Sequence, residues 1–149
     1  MILVDTSAWI EYLRATGSPA AAEVRRLLSE ESNQVAMCEP VAMEILSGAA
    51  DDSRHAKLEQ LVNGLPSLSV DNAIDFRVAA GIYRAARRAG QTIRSLNDCL
   101  IAAVAIRHEA RIVHRDADFD VIAGMTALRS TSFDKASSTD SATSSRWPG

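Results

Sequence analysis

The N-terminal run Met-Ile-Leu-Val-Asp-Thr-Ser-Ala-Trp-Ile, residues 1 to 10, limits the fold more than any other stretch. Four apolar residues without polar alternation predict a strand buried on both faces, a feature of parallel sheets covered by helices. Asp5 is then delivered to the carboxyl edge of that sheet. Thr6 or Ser7 can cap a following helix whose apolar positions are Trp9, Ile10 and Leu13, read as core in preference to a partner groove. Open α/β sheets carry their chemistry at this edge. The other residues matter for what they bring to meet Asp5.

The rest of the chain keeps the same alternation. Gly17 ends the first helix, and Ser18-Pro19 opens a second with Val24, Leu27 and Leu28 as its apolar stripe. Residues 34–38 predict a second strand. Pro40 then starts a helix that is apolar on nearly every side, through Val41, Ala42, Met43, Ile45 and Leu46 to Gly48, with Glu44 in its middle. Residues 51–65 give a more polar helix, Pro66 stops it, and residues 67–70 predict a brief strand. The longest helical pattern spans 71–89, with Ile74, Val78 and Ile82, together with Phe76, Ala79 and Tyr83, as the expected inward set and Gly90 as its end. Between Asn97 and Ile106, eight apolar residues leave no polar face for two turns, which predicts a central buried helix. A strand at 111–114, a short helix around Phe119 and an edge strand at 126–128 complete the reading. This order implies an α/β fold, a three-layer α/β/α sandwich around a small, mainly parallel sheet.

At 149 residues and 47% hydrophobic content, the chain fits one domain with a core of normal size. Residues 1–133 are expected to form it. Residues 134–149, rich in Ser, Thr and Asp, are too small and polar to pack and are expected to be a disordered tail, native or introduced. No apolar run approaches the roughly 20 residues that span a bilayer. The N-terminus also lacks the basic flank of a signal peptide, so a cytoplasmic protein away from membranes is expected. Cys38 and Cys99 lie in apolar contexts without CxxC spacing and are read as buried reduced thiols. His55, His108 and His114 are scattered, so any metal here needs oxygen ligands. The net charge of −3 gives no sign of a nucleic-acid partner. Lys57 and Lys135 are the only lysines among 16 basic residues, leaving 14 arginines, the side chain better suited to forked phosphate contacts. High-GC coding produces the same bias.

Four acids are predicted to share the carboxyl edge: Asp5 after the first strand, Glu44 one turn into its helix, Asp98 in the first turn of the buried helix, and Asp116 after the last long strand. Asp118 is a fifth close by. Each has a structural alternative. Asp5 can be a helix cap, and Ser95 to Asp98 has capping-box-like spacing. Asp116, Asp118 and Asp120 can be solvated turn residues. Glu44 has the weakest alternative, because a carboxylate in an apolar helix is costly unless paired, although Glu39 competes with it. Together the acids repel one another unless a cation is present. Hard divalent ions, Mg²⁺ or Mn²⁺, prefer such ligands, with waters and a substrate phosphate completing the shell. That chemistry suits phosphodiester hydrolysis without a nucleophilic side chain.

Four motifs carry a family resemblance: Val-Asp-Thr-Ser-Ala-Trp-Ile at the start, Pro-Val-Ala-Met-Glu-Ile-Leu before Gly48, Asn-Asp-Cys-Leu-Ile-Ala-Ala near residue 100, and Arg-Asp-Ala-Asp-Phe after a strand. In this order and at these separations the chain resembles PIN-domain ribonucleases, and within them the VapC-type toxins of toxin–antitoxin pairs, over about residues 1 to 130. The resemblance implies a metal-dependent endoribonuclease acting on structured RNA, commonly transfer RNA, silenced by a small antitoxin protein and working as a homodimer. It matches Asp5, Glu44, Asp98 and Asp116 to the family's acidic quartet, Asp118 to an additional acid, and Thr6 or Ser7 to a hydroxyl near the site. His114 departs from the pattern, standing where the family often has Thr.

Two rivals use related geometry. A phosphatase of the haloacid dehalogenase type needs a second Asp two residues after the first, where this chain has Ser7. A receiver-like signalling module needs a Lys after a late strand, and neither Lys57 nor Lys135 is so placed. Arg84, Arg87, Arg88 and Arg94 are read either as a basic rim that guides RNA or as a solvated helix face.

Overall fold

The computed structural model describes residues 1–133. The tail expected from 134 to 149 lies outside the described residues. Four strands form one sheet: β1 (Ile2–Val4), β2 (Val35–Ala36), β3 (Arg111–His114) and β4 (Arg129–Ser132), in the order β2-β1-β3-β4. All three pairings are parallel, with Val4 opposite Val113 in the central pair. Seven helices flank the sheet: α1 (Thr6–Leu13), α2 (Pro19–Glu30), α3 (Glu39–Ser47), α4 (Asp52–Asn63), α5 (Asp75–Arg88), α6 (Leu96–Arg107) and α7 (Ala117–Met125). This is the α/β/α sandwich expected from the alternation of elements.

The chain leaves β1 toward β2 on one side and later returns to β3 on the other. The order therefore reverses between β1 and β3, which leaves a crevice beyond their carboxyl ends. Leu3, Val4, Ile112 and Val113 are all buried, as an apolar run without alternation requires of a two-sided strand. α6 is buried through Cys99 and Ile101–Ala105, and α1 sends Trp9 fully inside, so the helices that start at this edge are anchored by packing.

Three local expectations need correction. On α5 the inward face is Asp75, Ala79, Ile82 and Ala86, while Ile74, Phe76 and Val78 are 48%, 53% and 41% exposed. The small alanines let α5 pack closely on α6. Asp75 is tolerated inside because the Arg107 guanidinium donates to it at 2.9 and 3.0 Å. The expected strand at 67–70 is a single bridge, Ser67 beside Met37, that continues the line of β2. The edge strand starts three residues later than expected, because Thr126 closes α7 by donating to the Ile122 carbonyl at 2.8 Å and accepting from the Leu128 amide.

Candidate active site

Asp5 sits one residue beyond β1, with its amide bonded to the Val113 carbonyl of the neighbouring strand at 2.9 Å. It caps α1 with one oxygen: Oδ2 accepts from the Ser7 amide at 3.0 Å and from the Ser7 hydroxyl at 2.6 Å. Asp116, two residues beyond β3, caps α7 in the same way, its Oδ1 accepting from the Asp118 amide at 2.9 Å. Both residues thus cap helices, as the structural alternative for Asp5 expected, and both stand at the carboxyl edge of the sheet. Asp98 lies in the first turn of α6 and is fully buried. The Ser95 side chain makes no capping bond, so the capping-box alternative fails there. These three carboxylates stand at helix N-termini, where the helix dipole favours negative charge.

Glu44 stands in the middle of α3 without that help. It is half-buried, and the Asn97 side-chain amide donates to its Oε1 at 2.7 Å. Glu39, the competing acid, is exposed and accepts from the Val70 amide. Asp118 is buried and accepts from the backbone amides of Arg94 and Ser95 at 3.0 to 3.1 Å, which ties the approach to α6 to the start of α7.

These acids converge in two overlapping sets. One carboxylate oxygen each from Asp5, Glu44 and Asp98 lie within 4.8 Å of one another, and so do oxygens from Asp98, Asp116 and Asp118. Every expected acid falls in one set, and Asp98 belongs to both. Hard oxygen donors at this spacing fit Mg²⁺ or Mn²⁺, and neither cysteine nor histidine intrudes in either set. A carboxylate has about four lone-pair sites, so the cap and amide bonds to Asp5, Asp116 and Asp118 leave capacity for a cation.

Around the acids runs a shell that sequence reading resolved only in part. Of the two hydroxyl candidates, Ser7 touches the site, donating to Asp5 and accepting from the Arg115 amide at 2.9 Å. Thr6 Oγ1 is buried and meets no hydrogen-bond partner among the described residues. His114 packs on Phe119 with ring centroids 5.2 Å apart, and its Nδ1 accepts from the Asp116 amide. Its ring thus supports the backbone that presents the acid.

Arg115 and Glu11 form an ion pair that joins α1 to the turn carrying Asp116. Sequence reading missed this pair and Asn97. A glutamate facing inward on an amphipathic helix was the available signal for Glu11, and position beside Asp98 the signal for Asn97. Of the rim arginines, Arg94 approaches the acids, while Arg84, Arg87 and Arg88 lie exposed on the last turns of α5, Arg87 over the Tyr83 ring at 5.7 Å.

Burial pushes the Cys38 thiol up to about 12, with the nearby charges of Asp5, Glu39 and Glu44 adding to the shift. Burial, then the charges of Asp98 and Asp118, pushes Cys99 up to about 11. Burial thus favours the neutral form of both thiols, and neither belongs to the carboxylate sets.

Comparison with known proteins agrees with this geometry. The PIN domain family matches residues 2–125. The chain is 77% identical over 133 residues to VapC ribonuclease Mb1587 of Mycobacterium bovis, covering 89% of this chain and 99% of that protein. The same figures hold for ribonuclease VapC11 of Mycobacterium tuberculosis. Among solved structures, VapBC2 from Rickettsia felis, bound to a DNA fragment from its promoter, matches 90% of this chain and 100% of that one. Its TM-score is 0.70 at 19% identity, a likeness of fold. With the motifs, the sheet-edge acids and these relatives in agreement, the chain belongs to the PIN domain family and, within it, to the VapC-type ribonuclease toxins of toxin–antitoxin pairs.

Proposed function

We propose that this chain is a divalent-metal-dependent endoribonuclease that hydrolyses phosphodiester bonds in structured RNA, transfer RNA foremost. In this reading residues 1–133 are the nuclease unit, a small cognate antitoxin silences it, and it works in the cytoplasm as a homodimer. The carrying observation is the pair of carboxylate triads that share Asp98 at the β1–β3 crevice.

We assign Asp5, Glu44, Asp98 and Asp116 as metal ligands and Asp118 as an additional one. Bound Mg²⁺ or Mn²⁺ supplies an acidified water and offsets charge on the attacked phosphate. The protein's part is preorganisation. Ser7 orients Asp5, Asn97 orients Glu44, and the amides of Arg94 and Ser95 hold Asp118. The Ser7 hydroxyl is engaged as donor to Asp5 and acceptor from the Arg115 amide, so it serves positioning.

The antitoxin reading is supported by the Rickettsia felis VapBC2 assembly. The homodimer reading is supported by the exposed apolar side chains Ile74, Phe76 and Val78 at the start of α5, which a second copy would cover. Incubation of the protein with a total RNA pool, with and without Mg²⁺, followed by mapping of new ends, tests the function. Discrete cuts in transfer RNA that vanish with chelator are expected. Cuts confined to another RNA would overturn the transfer-RNA assignment alone. Uncut RNA together with a covalent aspartyl-phosphate would point to the phosphatase chemistry instead.

A further inference from the structure

We infer that Arg94 is the residue that contacts the scissile-region phosphate of the RNA, held over Asp116 and Asp118 until a divalent cation takes those carboxylates. The inference rests on the nuclease reading and adds a residue to it.

Backbone and side chain of Arg94 behave differently. Its amide donates to both oxygens of Asp118, at 3.0 and 3.1 Å, and the next amide, that of Ser95, donates to the same carboxylate at 3.1 Å. That carboxylate is itself buried, so the Cα of Arg94 has a fixed place at the rim of the acidic site. The side chain is 63% exposed. Its Nη2 stands 3.7 Å from Asp116 Oδ1 and its Nε 3.8 Å from Asp118 Oδ1, beyond hydrogen-bond reach. A separation of that size in a solvated setting holds the guanidinium only loosely.

Two other arginines with close ionic partners, Arg115 beside the acids and Arg107 at the far end of α6, are committed elsewhere. The Arg115 guanidinium is paired with Glu11 and its side chain is 17% exposed. Arg107 is bonded to Asp75 and to the Ser69 carbonyl. Arg94 alone combines an anchored backbone, a solvated head and two site carboxylates as its only described ionic contacts.

The charge arrangement gives this geometry a direction. Five carboxylates at one edge repel an approaching phosphate, so RNA needs fixed positive charge there. In the absence of metal, Asp116 and Asp118 attract the guanidinium. A cation bound by Asp98, Asp116 and Asp118 neutralises that attraction and repels the guanidinium, which then turns to the phosphate arriving at the same edge. The planar fork suits two phosphate oxygens at once, which an ammonium does not match.

Opposite signs in two binding measurements test this. Mn²⁺ titrated into the RNA-free protein should bind Arg94→Ala several-fold more tightly than the parent, because a competing cation is gone. Bulk transfer RNA, bound with Ca²⁺ in place of Mg²⁺ over a KCl series, should bind Arg94→Ala about tenfold more weakly. Its slope in log affinity against log salt should be shallower by about one ion. Arg94→Lys should keep the slope and lose part of the affinity. The exposed side chain makes a folding defect no part of the expectation, and unchanged melting of both variants checks that. An unchanged RNA affinity and slope, or metal and RNA affinities that fall together, would overturn the inference. A parent protein that neither binds nor cuts RNA with any divalent ion would overturn the nuclease reading beneath it.

Discussion

Asn97 donates its side-chain amide to Glu44 Oε1 at 2.7 Å across 53 residues of sequence. It is the described hydrogen bond that orients the one site acid not placed at a helix N-terminus. Asn97→Ala should therefore loosen Glu44 and lower Mn²⁺ affinity and RNA cleavage by about 10- to 100-fold, the usual cost of losing a partner behind a metal ligand. Calorimetric titration of Mn²⁺ beside cleavage rates checks this. Asn97→Asp sets a like charge against Glu44 and should also lower metal-free stability. Wild-type metal affinity in Asn97→Ala would show that Glu44 needs no such support.

Asp75 gives a stability prediction away from the site. Burial alone would raise its pKa, but the Arg107 hydrogen bonds, the Asp71 amide and the Arg107 charge outweigh that and hold the carboxyl below its usual value. A group whose pKa is depressed by folding contributes stability above its unfolded pKa, and this is lost as pH falls through the folded one. Asp75→Asn should cost about 2–3 kcal/mol at pH 7, since it uncouples a buried carboxylate from a partly exposed arginine. The gap from the parent should close as pH falls below about 4. Denaturant unfolding at pH 7 and at pH 3.5 measures both, and a gap independent of pH would assign the effect to packing.

The two cysteines predict a labelling pattern. With pKa values raised to about 12 and about 11, Cys38 and Cys99 are almost entirely thiols at pH 8. Both side chains are buried as well. Iodoacetamide should modify neither in the native protein and both after denaturation, as read by intact mass. Prompt modification of the native form would mean that α3 or α6 opens locally.

What could be read in the sequence follows from the range of the interactions involved. β1 and Asp5 were legible because four apolar residues running into an acid are a local pattern. Glu44 stood out as a charge in an apolar helix. Asn97, Arg115 and Asp75 were not legible: their partners lie 53, 104 and 32 residues away, and no spacing rule reaches that far. The same limit explains α5. Its apolar residues surround the helix, and the side that turns inward carries Ala79, Ile82 and Ala86 with Asp75 held by its distant partner Arg107, leaving Ile74, Phe76 and Val78 outside.

These exposed side chains carry the homodimer prediction. Phe76 and Val78 are 53% and 41% exposed in the single chain, so Phe76→Glu and Val78→Glu should leave it folded. If a second copy covers these side chains, each variant should shift the protein from dimer to monomer in light scattering at the same concentration. A dimer that survives both changes would move the interface to another surface.

Asp98 tests the acid cluster most directly, because it alone belongs to both triads and makes no capping bond with Ser95. Its place in the first turn of α6 favours negative charge by about 0.3–1 kcal/mol. The carboxylates of Asp5, Glu44, Asp116 and Asp118 act against it, and without a cation their repulsion should dominate. Asp98→Asn keeps the shape and removes the charge, so in chelator it should melt at or above the parent temperature. Saturating Mg²⁺ should reverse the order. The parent gains about 2.7 kcal/mol at a free concentration of one hundred dissociation constants, while the variant, having lost the shared ligand, gains little. Asp5→Asn and Asp116→Asn should follow the same trend less strongly, because each belongs to a single triad, while asparagine keeps their helix caps nearly as well. RNA cleavage should be lost in all three. Unfolding of Asp98→Asn in chelator would make the carboxylate a structural partner of α6, and a folded variant that still cuts RNA would remove the metal triads from the mechanism.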